Sequence, residues 1–119
     1  MSTDHVLLNK EGGLWRVTLN RPDKANALSD GMLHRLSDIF SDAASDEDLR
    51  VLVITGAGER VFCAGADLKE RNGMSEGDWE HQHRIFEAMS YGIMNSPIPT
   101  IAAINGAAMG GGLELLLAC

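Results

Sequence analysis

The chain has 119 residues, 45% hydrophobic and 23% charged, with a formal net charge of −7. This length predicts about one domain, and the acidic balance argues against a nucleic-acid binder, which needs a basic face. No apolar run reaches the ~18 residues of a membrane span. Two cysteines, Cys63 and Cys119, are too few for a disulfide framework and lack metal-ligand spacing. The opening MSTDHVLLNK resembles neither a signal nor a transit peptide, so a cytoplasmic protein is expected.

Residues 5–9 and 14–20 are predicted as strands joined by KEGG; in the second, Trp15, Val17 and Leu19 alternate with polar residues. RPDKANA (21–27) forms a loop. Ser29 caps a helix over 29–44, with Leu28, Met32, Leu36, Ile39, Phe40 and Ala43 at helical spacing. VLVIT (51–55) is a short apolar run, expected as a buried strand. A helical turn follows at 67–71. Ser75 and Asp78 form a capping box for a helix whose face carries Trp79, His83, Phe86, Met89 and Ile93, so His83 is expected in the core. Residues 99–104 are a strand, Asn105-Gly106 a turn, and a last helix begins near Gly111. The pattern β-β-α-β-α-β-α predicts an α/β fold.

Two stretches, FCAGADLKER (62–71) and GAAMGGGLELLLAC (106–119), place small residues where extended chain becomes helix. Helix starts present free N–H groups and partial positive charge. If the amides of Ala66 and Gly111 face one point, they form an oxyanion hole. Glu114, one turn beyond Gly111, projects on the same face, where a carboxylate can move a proton beside a carbonyl. A plainer reading stays open: the glycines allow close packing of helix on sheet, and Glu114 is a solvated surface residue. VITGAGERV lacks the third small residue of a dinucleotide fingerprint, since Val61 stands there. His5, His34, His81 and His83 show no metal-ligand spacing, no metal site is expected, and Cys63 suits a buried small hydrophobe.

LNRPDKANAL (19–28), VLVITGAGERVFCAGADLKE (51–70) and PTIAAINGAAMGGGLELLLAC (99–119) together resemble the crotonase (enoyl-CoA hydratase/isomerase) superfamily, nearest its methylglutaconyl-CoA and short-chain hydratase branch. The resemblance implies a spiral of β-β-α units, assembled as trimers or dimers of trimers. It implies that the backbones of Ala66 and Gly111 are the oxyanion donors and that Glu114 is the first of two catalytic glutamates. Lys24, Ala25 and Ala27 match the loop that touches coenzyme A, and Ala64, Asp67 and Leu68 match backbone lining its groove. The implied reaction is hydration of a 2-enoyl-CoA thioester, without metal or redox cofactor, coenzyme A being part of the substrate. A Δ3,Δ2-enoyl-CoA isomerase is the alternative within the family, and a truncated non-catalytic chain the alternative outside it. Helix 29–44 sets Arg35 against Asp30, Asp38 and Asp42, which argues against RNA.

The family's second glutamate and its trimerisation helices lie beyond Cys119, so residues 1–119 are expected to be the N-terminal part of the spiral domain. The last helix, with Leu113, Leu115, Leu116 and Leu117, is apolar around much of its circumference and needs cover on several sides. Expressed alone, the segment is expected to aggregate and to lack hydratase activity.

Overall fold

The computed structural model describes residues 4–119. Val6–Glu11 (β1) and Leu14–Leu19 (β2) form an antiparallel hairpin, with Lys10 opposite Trp15 and Glu11 opposite Leu14. β1 runs past its expected end at Asn9 because the turn is Gly12-Gly13 alone, Gly12 taking φ +58°. Trp15, Val17 and Leu19 are buried, as their alternation predicts. Asp30–Ser45 (α1) begins where Ser29 Oγ accepts from Met32 N–H at 3.3 Å. Its buried stripe is Met32, Leu33, Leu36, Ile39, Phe40 and Ala43. Leu28 is buried but precedes the helix, in a parallel bridge to Ala66.

Val51–Gly56 (β3) lies parallel to β2, with Leu52 and Ile54 fully buried and Val51, Val53 and Thr55 half-buried. One face of β3, not both, enters the core. Val61–Cys63 (β4) is a strand without a periodic signal in the sequence. Asp67 caps Leu68–Asn72 (α2), and Ser75 caps Glu76–Met94 (α3), accepting from Asp78 N–H at 3.1 Å. Of the expected capping box only this half forms among the described residues. Thr100–Ala103 (β5), Ala107–Ala108 (β6) and Gly111–Ala118 (α4) complete the chain.

The main sheet has the order β1-β2-β3-β5, and β4 pairs with β6 in a second, two-stranded parallel sheet. Helices α1 and α3 pack together, and α4 packs on α3 and β4. One apolar core joins the buried residues of β2, β3 and α1 to Phe62 of β4, Met89 and Ile93 of α3, and Leu115 of α4. The opposite side of α4 carries Leu113 and Leu117, 44% and 71% exposed, as expected for a helix apolar beyond one face. No helix among the described residues is long and apolar enough to cross a membrane.

Two asparagines clasp the turn between β3 and β4. Asn26, fully buried and at φ +53°, donates through Nδ2 to the carbonyls of Ala57 and Val61, each at 3.0 Å. Its Oδ1 accepts from Arg21 N–H at 2.8 Å. Asn105 Oδ1 accepts from Gly56 N–H at 3.1 Å, and its Nδ2 donates to the Gly58 carbonyl at 2.9 Å. A Cβ at Gly56 would lie 2.9 Å from both amides. Asparagine suits the left-handed backbone of residue 26, which few other side chains adopt. Asn26→Ala therefore strands several buried polar groups at once. It is expected to lower stability by about 2–4 kcal/mol, from several net hydrogen bonds and their unpaired partners. Urea unfolding of the protein that carries this chain measures the loss.

Candidate active site

Each glycine of the triplet has a different task. Gly110 is the N-cap of α4 at φ +52°, and nothing lies within 4 Å of where its Cβ would stand. Gly112 is buried, and a Cβ there would collide with the backbone carbonyl of Cys63, so the plainer packing role holds for this residue. Gly111 is the first residue of α4, and its N–H has no intrahelical acceptor. The pairing of β4 with β6 extends through a bond from Met109 N–H to the Cys63 carbonyl at 3.0 Å. Gly65, at φ +96°, then comes so close that its Cβ would lie 2.8 Å from the Met109 carbonyl oxygen and 3.1 Å from the Gly111 nitrogen.

That contact sets Ala66 beside Gly111. The bridge to Leu28 uses the carbonyl of Gly65 and the N–H of Asp67, bonded at 2.7 and 3.1 Å, and leaves the N–H of Ala66 free. Among the described residues, neither the Ala66 nor the Gly111 amide donates to a protein acceptor. Both residues and Glu114 line one pocket of about 200 Å³, completed by Arg71, Trp79, His83 and Phe86. Glu114 is exposed at this pocket. The three residues expected to act together are thus brought together.

The four other lining residues were not expected there. His83, expected in the core, is 47% exposed; it stacks on Trp79 at 5.2 Å between ring centroids and meets Glu87 at 3.0 Å. The face read as one apolar stripe divides, because α3 extends past the core: Met89 and Ile93 are buried, while Trp79, His83 and Phe86 meet the pocket. Phe86 lies against Gly111, 3.0 Å from where its Cβ would stand. Cys63 is buried as expected; burial pushes its thiol up to about 11, so it is neutral near pH 7.

A second groove, of about 330 Å³, is lined by Arg21, Lys24, Ala27, Ala64, Ala66, Asp67, Leu68 and Lys69. Ala66 belongs to both grooves. Five of the six residues expected at coenzyme A line the second. Ala25 does not; at φ +55° it closes the turn Pro22–Lys24, and its carbonyl accepts from Ala64 N–H at 3.0 Å. Ala25 thereby holds the groove wall instead of forming it. Arg21 pairs with Asp67 at 2.8 Å, both largely covered. Lys24 and Lys69 form no ion pair among the described residues, so a locally cationic strip lies on an acidic protein.

The sequence matches the family described as enoyl-CoA hydratase/isomerase over residues 9–119. It is 41% identical over 118 residues to human enoyl-CoA hydratase domain-containing protein 2, mitochondrial, covering 96% of this chain and 39% of that protein. It is 42% identical over 107 residues to human methylglutaconyl-CoA hydratase, mitochondrial, covering 90% of this chain and 32% of that protein. The structure is similar to that of an enoyl-CoA hydratase from Bacillus anthracis, with a TM-score of 0.92 and 41% identity over 98% of this chain and 45% of the other. The chain therefore has the mixed α/β fold expected and spans under half the length of these relatives.

The pH dependence of the groove wall follows from Asp67. Its carboxyl lies below its ordinary 3.8, first because Glu70 N–H donates to it and then because Arg21 does. A depressed folded value stabilises the fold above the ordinary value, and the effect fades as pH falls through the folded one. Asn keeps the helix cap but not the charge. Asp67→Asn is therefore expected to melt below wild type at neutral pH, with the gap closing below about pH 4. Thermal melts of both proteins between neutral and strongly acidic pH check this.

Proposed function

We propose, from the premise that this chain belongs to the enoyl-CoA hydratase/isomerase family, that the protein carrying it adds water across the double bond of a 2-enoyl-CoA thioester. The observation that carries this reading is one pocket holding two free backbone N–H groups, at Ala66 and Gly111, beside the carboxylate of Glu114. The thioester oxygen accepts from both amides, which stabilise the enolate formed when water attacks the β-carbon. Each such donor contributes roughly 10²–10³ in rate. Glu114 takes the proton of the attacking water, and an acid beyond Cys119 delivers one to the α-carbon. Glu114 stands at the pocket beside both amides, where it supplies the base that hydration needs, and this favours hydration over Δ3,Δ2-isomerisation.

Coenzyme A, as part of the substrate, extends from Ala66 into the second groove. Ala64, Ala27 and Asp67 form the wall, Leu68, 75% exposed, offers an apolar surface, and Lys24 and Lys69 offer cations to its phosphates. No separate cofactor enters the proposal. Residues 1–119 are taken as the N-terminal part of a spiral domain in a cytoplasmic homotrimer or dimer of trimers; the two human relatives are mitochondrial by name.

Glu114→Gln in the protein carrying this chain is expected to slow hydration by roughly 10²–10⁴, the range for a positioned acid–base group. Affinity for a saturated acyl-CoA should stay nearly unchanged, because the loss falls in the transition state. A crystal complex should place the thioester oxygen about 2.7–3.1 Å from both amide nitrogens. Near wild-type turnover of crotonyl-CoA by the variant, or a thioester oxygen bound elsewhere, overturns the reading.

A further inference from the structure

Asn-Gly occurs twice in the chain, at 72–73 and at 105–106. In this dipeptide the backbone nitrogen of the glycine can attack the side-chain amide carbon of the asparagine, because no Cβ shields it. A C–N bond forms, ammonia leaves, and a cyclic imide results. Water then opens the ring at either carbonyl, giving aspartate or isoaspartate. The net change is one water in and one ammonia out.

The fold treats the two dipeptides oppositely. Asn105 is half-buried, and ring closure would have to pull its side chain off Gly56 N–H and the Gly58 carbonyl, at 3.1 and 2.9 Å. Gly106 is wedged in place, since a Cβ there would collide with the Arg60 carbonyl. Asn72 and Gly73 are both exposed, and the Asn72 side chain makes no hydrogen bond among the described residues. Asn72 is the last residue of α2, which is only five residues long, and so short a helix opens readily at its end. The Gly73 N–H turns to the Arg71 carbonyl, which Met74 N–H also uses at 3.0 Å, so that bond goes when the last turn opens. Neither conformation nor packing demands glycine at 73: its φ is −98°, and nothing lies within 4 Å of where a Cβ would stand.

We propose that Asn72 is a site of spontaneous covalent modification, converted in the folded protein to aspartate and isoaspartate, while Asn105 is protected. The change falls on the pocket wall. Arg71 Nε donates to Gln82 Oε1 at 3.2 Å, and Gln82 Nε2 donates to Glu70 Oε1 at 2.9 Å, which ties α2 to α3. Isoaspartate lengthens the backbone between those helices by one methylene. Either product sets a negative charge at the C-terminal end of α2, where the helix dipole opposes it. Both loosen the end of α2 that carries Arg71.

The test ages the protein carrying this chain under native conditions at mildly alkaline pH, beside Gly73→Ala and beside wild type unfolded in urea. Samples are digested in acid, and mass spectrometry follows conversion of amide to acid at 72 and at 105; an isoaspartyl methyltransferase assay identifies the β-linked product. Native wild type should convert at Asn72 well ahead of Asn105. Gly73→Ala should lose most of the conversion at 72 while melting at the wild-type temperature. In urea both asparagines should convert alike. Amide hydrogen exchange over residues 68–74 should quicken in aged wild type and not in aged Gly73→Ala. An unmodified Asn72, equal conversion of the two sites in the folded protein, or undiminished conversion in Gly73→Ala overturns the assignment. An Asn105 that stays inert in urea overturns its protection by the fold, and unchanged exchange in aged wild type overturns the loosening of α2.

Discussion

The buried amide of Asn26 is the constraint on which the rest of the site depends. It joins the loop 21–27 to the turn between β3 and β4, and its own left-handed backbone turns that loop inward. From there the two segments run together. Ala64 N–H reaches the Ala25 carbonyl, Leu28 N–H the Gly65 carbonyl, and Asp67 N–H the Leu28 carbonyl. Arg21 closes the same seam by donating to Asp67 and to the carbonyl of Ala27. An amide with three satisfied bonds in the interior is rigid because each unmade bond carries a full desolvation cost. That rigidity fixes the position of Ala66, which makes no side-chain bond of its own.

Gly111 is held by different means. Its position comes from the parallel pairing of β4 with β6, extended by the Met109–Cys63 bond, and from the seating of Gly112 on the Cys63 carbonyl. Cys63 thus anchors both halves: its carbonyl receives α4, and its thiol donates to the Asn26 carbonyl at 3.3 Å. The two donors of the proposed oxyanion hole are backbone groups on short loops, yet each is fixed by buried hydrogen bonds. Preorganised donors of this kind need no reorganisation when charge develops.

The pocket wall proposed to face the acyl chain carries side chains from α2 and α3, where packing with α1 governs the geometry. Gln82 is polar, buried and shared between Glu70 and Arg71, so the three helices agree on one arrangement of the pocket wall. The second groove, proposed for coenzyme A, is lined by the loop 21–27, the segment before α2 and the first two residues of α2. Ala66 is where the two meet.

The sequence by itself determined what is local. Alternation marked β2, Ser29, Asp67 and Ser75 stood at helix starts, and the spacing of Gly111 and Glu114 placed them on one helix face. The three quoted motifs carried the family resemblance. Tertiary structure decided the rest. β4 and β6 are three and two residues long, too short for a period, and their pairing uses backbone groups that every residue supplies. The αL turn at Ala25 and Asn26 lacks the glycine that announces such turns, so its geometry was not legible in the sequence. Helical spacing put His83 on the same stripe as Met89 and Ile93, but only packing against α1 determines how far along α3 the core extends. The bond from Gln82 to Arg71 crosses between two helices. Periodicity reports which residues share a face, and not what that face will meet.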